Sequence, residues 1–404
     1  MRREVICGLD IGVSKISATI GEFSPANKFR LLAGARMDSE GLERGKVLDI
    51  EKLTKTIEKI MGILRAESDF KPDRLVMGMG TGCLKVQSYR RTSTIADRAR
   101  EIKGPDVDRL INNALEMAVP LDHEMLHAFP QEFVVDGQNR IKDPKGMFGS
   151  KIAVRLLVIS APTSLLHNLK KCVYNAGYDV DAVSFSGLGS SFAFLTEEER
   201  EAGVIFLEIG GGITSVIKFI EGLPAFLEII PFGGMDIDEV IAKAISIPLS
   251  EAKELKDKYG SLNTEQLDSR IILDRRETEV TQVKLKQLIV PAVERILFQI
   301  EKRLDNSNGL KYTPSGIVLG GGSFLLEGLV EKIEEIFRLP VKLGVVKNAE
   351  DWTKDKKNIF LLSGPIGLIY LDHFNRTREL SSQSEVGYFK KLIRKTKDIF
   401  EEYF

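Results

Sequence analysis

Apolar and polar residues along the chain switch repeatedly between a two-residue and a 3.6-residue period. In "CGLDIGVSKISATIGEF", residues 7 to 23, β-branched and apolar positions flank a glycine-bearing turn around Gly12, so residues 4 to 23 predict strand, tight turn, strand. A third strand follows near 29 to 36. Over 51 to 66, "EKLTKTIEKIMGILRA", Leu53, Ile57, Ile60, Met61 and Leu64 recur at helical spacing and predict an amphipathic helix. Residues 73 to 79, "DRLVMGM", return to strand character. Strands that alternate with helices in this way predict an α/β layer architecture.

The pattern changes over residues 82 to 163, where a charged helical stretch at 105 to 118 precedes two strand-like runs, "HAFPQEFVVDG" and "GSKIAVRLLVISAP". This block is expected to be an inserted subdomain. Helices are expected at 163 to 176 and within 185 to 199. Residues 244 to 311 are charged and strongly helical, with Leu288, Ile289, Ala292, Ile296, Leu297, Ile300 and Leu304 on one apolar face around Pro291. Residues 316 to 338 predict strand, glycine turn and helix. Residues 376 to 386 are polar without periodicity, which predicts a flexible tether. A last helix follows.

One short pattern occurs twice. "FLEIGGGITSVIKF", residues 206 to 219, again runs apolar residues into an acid, a glycine turn and a return to apolar residues. A turn built from glycine lets consecutive backbone N–H groups point into one concavity, and such nests bind phosphate oxygens. A β-carbon would obstruct both the turn and the approach of the anion. The acid beside each turn, Asp10 in the first copy and Glu208 in the second, is placed to hold Mg²⁺ through water, as that ion prefers when it bridges phosphates. "LGGGS" at 319 to 323 adds a strand-to-helix glycine turn able to approach an adenosine. Together these form a constellation of two phosphate hairpins and a nucleoside turn.

That constellation resembles the phosphate and adenosine motifs of the actin-like ATPase superfamily, which includes actin, sugar kinases and heat-shock chaperone ATPases. Within it, the chain most resembles the FtsA family of bacterial cell-division proteins. "HAFPQEFVVDGQNRIKDPKGMFGSKIAVRLLVIS", residues 127 to 160, looks like that family's inserted subdomain, and "SFSGLGSSFAFLTEEEREAGV", 184 to 204, like its connection between lobes. The resemblance implies a two-lobed actin-like ATPase fold. The first lobe would comprise residues 1–81 and 164–202, with the inserted FtsA-type subdomain at 82–163. The second would comprise 203–243 and 312–375, with a helical subdomain at 244–311. A tether at 376–386 would lead to a C-terminal amphipathic helix at 387–404.

The resemblance also implies ATP or ADP with Mg in the cleft and self-association into filaments. The FtsZ C-terminal peptide would bind the helical subdomain, and other divisome proteins the insertion. By motif match, Asp10, Gly12, Ser14 and Lys15 belong to the first phosphate loop, and Glu208, Gly210, Gly211, Gly212 and Thr214 to the second. Gly233, Gly234 and Lys256 are carried over with them, and Gly320, Gly321, Gly322 and Ser323 would border the adenosine. Alignment around Pro291 offers Ala292, Glu294 and Arg295 as contacts for the FtsZ peptide.

Four positions depart from the family. Glu208 stands where Asp is usual. In "PFGGMDIDEVIAKA", 231 to 244, Asp238 replaces Thr and Val240 replaces Asp. Lys253 replaces a Glu expected near the ribose. Two unit charges ~4 Å apart interact by roughly 4 kcal/mol at an effective dielectric of ~20, so Asp238 is expected to repel a γ-phosphate. The expectation is therefore an ATP-binding switch or polymer with at most weak ATPase activity.

"GYFKKLIRKTKDIFEEYF", 387 to 404, gathers Phe389, Leu392, Ile393, Ile399, Phe400, Tyr403 and Phe404 on one side and Lys390, Lys391, Arg394, Lys395 and Lys397 on the other. Behind a polar tether this predicts a helix lying in the plane of a membrane surface. Basic residues near an anionic leaflet contribute ~1 kcal/mol each, so one copy binds reversibly and a filament of many copies binds by avidity. The expected place of action is the inner face of the cytoplasmic membrane at the division site.

Composition narrows the alternatives. Lys plus Arg number 57 and Asp plus Glu 58, which removes the global basic field that nucleic-acid binding usually needs. Cys7, Cys83 and Cys172 are far apart and lack metal spacing, in keeping with a reducing cytosol. The N-terminal apolar run ends at Asp10, too soon for a signal-peptide core, and "IFLLSGPIGLIYL" at 359 to 371 is too short to span a bilayer. "HEMLH", His123 to His127, matches a zinc-protease pattern, but Pro120 and Pro130 bracket it too closely for the helix that pattern needs. His167 and His373 stand alone. Gly45-Lys46 continues into Val47 and so opens no P-loop, and "GMGTG" at 78 to 82 is no dinucleotide fingerprint. The rival readings are a small-molecule kinase of the same superfamily and a pilus-assembly adaptor resembling PilM; the first lacks an evident base and the second would not need the amphipathic tail.

Overall fold

Two hairpins of one design begin two sheets of one connectivity. The structure, a computed structural model, describes residues 4–24, 28–68, 71–263, 270–273, 278–306, 310–322, 326–346 and 360–381. In the first lobe β1 (Val5–Gly12) turns into β2 (Lys15–Phe23), followed by β3 (Phe29–Asp38), the short β4 (Leu42–Glu43) and β5 (Lys46–Val47), α1 (Ile50–Glu67) and β6 (Arg74–Gly80). β1 runs antiparallel to β2, with Asp10 opposite Ser17, and parallel to β6, with Asp10 beside Gly78. Near-continuous burial of β1 explains its apolar run as far as Leu9, because a central strand with both faces covered exposes no polar side. The start of α1 is fixed by Asp49, whose carboxylate accepts from Lys52 N–H at 3.0 Å. Its Leu53, Ile57, Ile60, Met61 and Leu64 are buried, the stripe expected from the sequence.

The insertion contains β7 (Lys85–Thr94), β8 (Arg100–Glu101), α2 (Gly104–Ala118), β9 (His123–Val135), β10 (Gln138–Ile141), β11 (Phe148–Gly149) and β12 (Lys151–Pro162). Its main sheet has the order β10-β9-β12-β7. α2 buries Val107, Leu110, Ile111 and Ala114 against Phe133, Ile152, Val154 and Leu156, giving the insertion a core of its own. The HExxH residues lie in β9. Strand geometry separates His123 from His127 by about 13 Å of chain at ~3.3 Å per residue, too far to share a metal.

The chain returns to the first lobe through α3 (Thr163–Asn175), β13 (Ala182–Phe185), α4 (Ser186–Phe194) and α5 (Glu197–Ala202). The second lobe then contains β14 (Val204–Ile209), β15 (Thr214–Ile220), β16 (Leu223–Ile230), α6 (Gly234–Ile245), α7 (Leu249–Tyr259), β17 (Arg270–Leu273), β18 (Thr278–Thr281), α8 (Gln282–Asn306), β19 (Ile317–Gly320), α9 (Leu329–Phe337) and β20 (Val341–Leu343). A final helix, α10 (Ser363–Ser381), crosses back to the first lobe.

The first sheet has the order β13-β6-β1-β2-β3 and the second β20-β19-β14-β15-β16, with matching parallel and antiparallel pairs. α4 and α10 pack closely beside the cleft: a β-carbon on Gly367 would lie 2.0 Å from the Gly189 carbonyl oxygen, a contact only glycine permits.

Two expectations need correction. Residues 244 to 311 are not wholly helical, because β17 and β18 form a hairpin with Ile271 opposite Val280. α6 has no counterpart among the elements the sequence predicts, because the glycines at its start obscure the helical period. The expected tether from 376 begins as helix. α10 continues to Ser381, with the Thr377 hydroxyl donating to the His373 carbonyl at 2.9 Å and Arg376 bonding Glu4 at 2.5 Å, so these polar residues find partners in the first lobe and along the helix. Residues 382–404, including the remainder of the tether and the amphipathic segment, lie outside the described residues. Among the described residues, no helix is long and apolar enough to cross a membrane.

Candidate nucleotide cleft

The two glycine turns face each other across the gap between the sheets. A β-carbon on Gly211 would lie 2.2 Å from Ser14 Oγ, and one on Gly212 would lie 2.7 Å from Val13 Cγ1. The second turn is closed by Gly210 N–H donating to the Ile213 carbonyl at 2.9 Å. Between them opens a cavity of about 480 Å³, lined by both turns, by Asp10 and Glu208, and by Gly321, Gly322, Leu326, Phe360 and Leu361 at the other end. Its size suits a small-molecule ligand, with a polar end and a mainly apolar end.

α4 lies beside both acids. The Ser186 hydroxyl donates to Asp10 Oδ1 at 2.5 Å, and Ser190, one turn later, lies near enough to Glu208 to favour its charged form. Burial raises the Asp10 pKa to about 6, against the opposing effect of Ser186. Burial also raises that of Glu208 to about 8; Ser190 opposes the rise and the Asp10 charge adds to it. Among the described residues no cation contributes to either shift, and two desolvated carboxylates of this kind fit a divalent ion, which would favour both anionic forms. Among the described residues, no group of three or more His, Cys, Asp or Glu side chains could hold a metal. A cation at Asp10 and Glu208 would therefore draw its remaining ligands from phosphate and water.

Lys15, Arg36, Lys253 and Lys256 also line the cavity. Lys15 is held below the usual lysine pKa first by burial and then by the charges of Arg36 and Lys253. The expected repulsion from Asp238 is corrected here. Asp238 is buried and its carboxylate lies 2.7 Å from Lys256 Nζ, which also donates to the Gly234 carbonyl at 3.1 Å. The lysine thus neutralises the acid, although burial still raises the Asp238 pKa. Lys253 reaches across the cleft to Asp38 at 2.9 Å, and Arg44 reaches Glu239 at 3.3 Å. Val240 is exposed and is not among the lining residues.

Most residues carried over by motif meet in this cleft: Asp10, Gly12, Ser14, Lys15, Glu208, Gly210, Gly211, Gly212, Gly234, Lys256, Gly321 and Gly322. Three do not line it. Thr214 is fully buried and its hydroxyl donates to the Phe232 carbonyl at 2.8 Å. Gly320 lies against the rings of Phe206 and Phe194, and Gly233 packs on the carbonyls of Gly210 and Gly211. Ser323 lies outside the described residues.

Sequence reasoning missed Ser186, Arg36, Ser363 and Gly364; the small-residue run "SFSGLGSS" was the available signal for Ser186. On α8, Ala292 is half-buried, Glu294 pairs with Lys332 at 3.2 Å, and Arg295 stacks over Phe232 at 4.9 Å from the ring centroid. The expected membrane contacts Phe389, Lys390, Lys391, Leu392, Ile393, Arg394, Lys395, Ile399, Phe400 and Phe404 fall outside the described residues.

Paired sheets of equal topology, opposed glycine hairpins and a cavity between them define the actin-like ATPase fold. Solved structures of this kind agree. The PilM-PilN type IV pilus biogenesis complex aligns with a TM-score of 0.67 at 16% identity, covering 91% of this chain and 98% of that one. MreB 5 of Spiroplasma citri bound to AMPPNP aligns with a TM-score of 0.53 at 14% identity, covering 93% and 98%.

Sequence kinship is narrower. A family model described as the SHS2 domain inserted in FTSA matches residues 84–160, and one described as Cell division protein FtsA matches residues 205–359. The cell division protein FtsA of Pseudomonas aeruginosa is 30% identical over 374 residues, which cover 91% of this chain and 88% of that protein. That of Borreliella burgdorferi is 31% identical over 397 residues, covering 95% of each. The chain belongs to the FtsA family of bacterial cell-division proteins.

Proposed function

We propose that this chain is an ATP-binding, self-associating adaptor that holds FtsZ filaments to the inner face of the cytoplasmic membrane and recruits later division proteins. The observation that carries the reading is the opposition of the two glycine turns, Gly211 against Ser14, with Asp10 and Glu208 beside them. Amides of both turns would cradle the phosphates, and Mg²⁺ at the two carboxylates would neutralise phosphate charge. Lys15 would hold a phosphate oxygen as a point charge. Gly321, Gly322, Leu326 and Phe360 would receive the nucleoside end.

The exposed stretch of α8 around Pro291, Glu294 and Arg295 would receive the FtsZ C-terminal peptide, and the neighbouring exposed Phe298 adds apolar surface to it. Residues 387–404 would lie on the membrane. Co-sedimentation of a labelled FtsZ C-terminal peptide with anionic liposomes tests the whole reading. It should require this protein and Mg·ATP and disappear when residues 387–404 are removed; peptide pelleting that ignores either change would overturn it.

A further inference from the structure

Strand β9 of the insertion touches both lobes within four residues. At the first-lobe contact, Phe185 N–H donates to His127 Nε2 at 3.0 Å, and Ser184 Oγ lies 3.1 Å from the same nitrogen. Because Nε2 accepts, the ring proton sits on Nδ1 and the imidazole is neutral. Phe185 immediately precedes α4, the helix whose Ser186 holds Asp10 and whose Ser190 lies beside Glu208. The insertion therefore anchors the start of the helix that holds Asp10 and lies beside Glu208.

At the second-lobe contact, Gln131 Nε2 donates to the Pro224 carbonyl at 2.9 Å, at the start of β16. Its other bond goes to the Phe129 carbonyl within β9 at 3.2 Å, which fixes the side chain's aim. Lys142, just past β10, adds an ion pair to Glu221 at 2.7 Å in the turn before β16. That pair is exposed at both ends and contributes little by itself, whereas the part-buried Gln131 bond is the specific link. Movement of one lobe against the other must shift β9 or break one of these contacts.

We propose that β9 couples the insertion to the nucleotide cleft, with His127 positioning α4 and Gln131 strapping the insertion to the second lobe, so that cleft closure and insertion orientation form one equilibrium. The proposal rests on nucleotide binding in the cleft. A nucleotide that favours the closed arrangement then also favours one placement of the insertion, and by linkage the strap favours nucleotide to the same extent. A protein binding the insertion in either placement would change nucleotide affinity without touching the cleft.

Hydrogen–deuterium exchange of the full-length protein, with and without Mg·AMPPNP, and nucleotide affinity measured on the same samples test the coupling. In the wild type, nucleotide should slow exchange along β9 and β10. Gln131→Ala and Gln131→Glu, which both lose the donor, should abolish that slowing and weaken nucleotide binding by up to about tenfold, the weight of one hydrogen bond. Gln131→Lys, which restores a donor, should recover both, and a merely structural role would not follow donor chemistry in this way. His127→Gln, which keeps an acceptor, should behave as wild type, and His127→Leu should not. Nucleotide binding with equal affinity and equal exchange in wild type and Gln131→Ala would overturn the coupling alone. Failure of the wild type to bind nucleotide would overturn the coupling and the proposed function together.

Discussion

Asp238 and Lys256 form a 2.7 Å ion pair inside the second lobe, at the wall of the nucleotide cleft. The pair converts an unusual family substitution from a source of phosphate repulsion into an internal strut. Breaking a buried pair from one side leaves an uncompensated charge, at a cost of about 3–5 kcal/mol. Lys256→Met should therefore lower the urea midpoint strongly, whereas Lys256→Met combined with Asp238→Val should recover most of the loss. Equal midpoints for the single and double variants would show that the pair carries no such charge.

Lys253 and Asp38 join the lobes from opposite sides of the cleft, 2.9 Å apart, with the aspartate largely exposed. Exposed pairs contribute about 0–1 kcal/mol, so this one acts as a weak latch that opens readily. Lys253→Glu should speed nucleotide release a few-fold at low salt and less at high salt, and the exchanged pair Asp38→Lys with Lys253→Glu should restore the slower rate. Stopped-flow displacement of a fluorescent nucleotide measures both; release unaffected by salt or by the exchange would remove the latch.

His127 gives the fold a defined pH response. Burial holds its pKa down at about 4. In the unfolded chain the imidazole takes a proton near ~6.5, so the unfolded state binds more protons between the two values. The stability it contributes is full above ~pH 6.5 and is lost as pH falls toward 4, on the order of 3 kcal/mol in all. Asp10 and Glu208, raised to about 6 and about 8, work in the opposite sense, since their contribution declines as pH rises. Comparing urea unfolding of wild type and His127→Gln across this range isolates the histidine, because the carboxylates are common to both. The wild type should lose more stability on acidification; parallel curves would contradict the assignment.

The parts of the fold legible in the sequence were those written locally. Gly12 and Gly210–Gly212 between β-branched runs specify hairpins through their own backbone needs, and the stripe from Leu53 to Leu64 specifies α1 through one period. Contacts made over long sequence separations left no such trace. Ser186 meets Asp10 across 176 residues, and the small-residue run around Ser186 signals close packing without naming its partner. Thr214 matched a motif position, yet its hydroxyl turns to the Phe232 carbonyl and away from the cleft. Residues 376 to 381 looked like a tether because they are polar, while Arg376 finds Glu4 372 residues away and the helix continues. The net effect of Asp238 likewise depended on Lys256, whose approach is set by the packing of α6 and α7.

The account depends on one triphosphate being held by both hairpins at once, which titration of a fluorescent ATP analogue tests most directly. With Mg²⁺ present, the wild type should bind saturably, and a chelator should weaken the binding. Gly12→Val in the first turn and Gly212→Val in the second should each abolish it while unfolding remains cooperative, since a side chain at Gly12 would press on the Lys15 carbonyl and distort its own turn, and one at Gly212 would strike Val13 of the facing turn. Retention of wild-type affinity by either variant, or no binding by the wild type, would contradict the central claim.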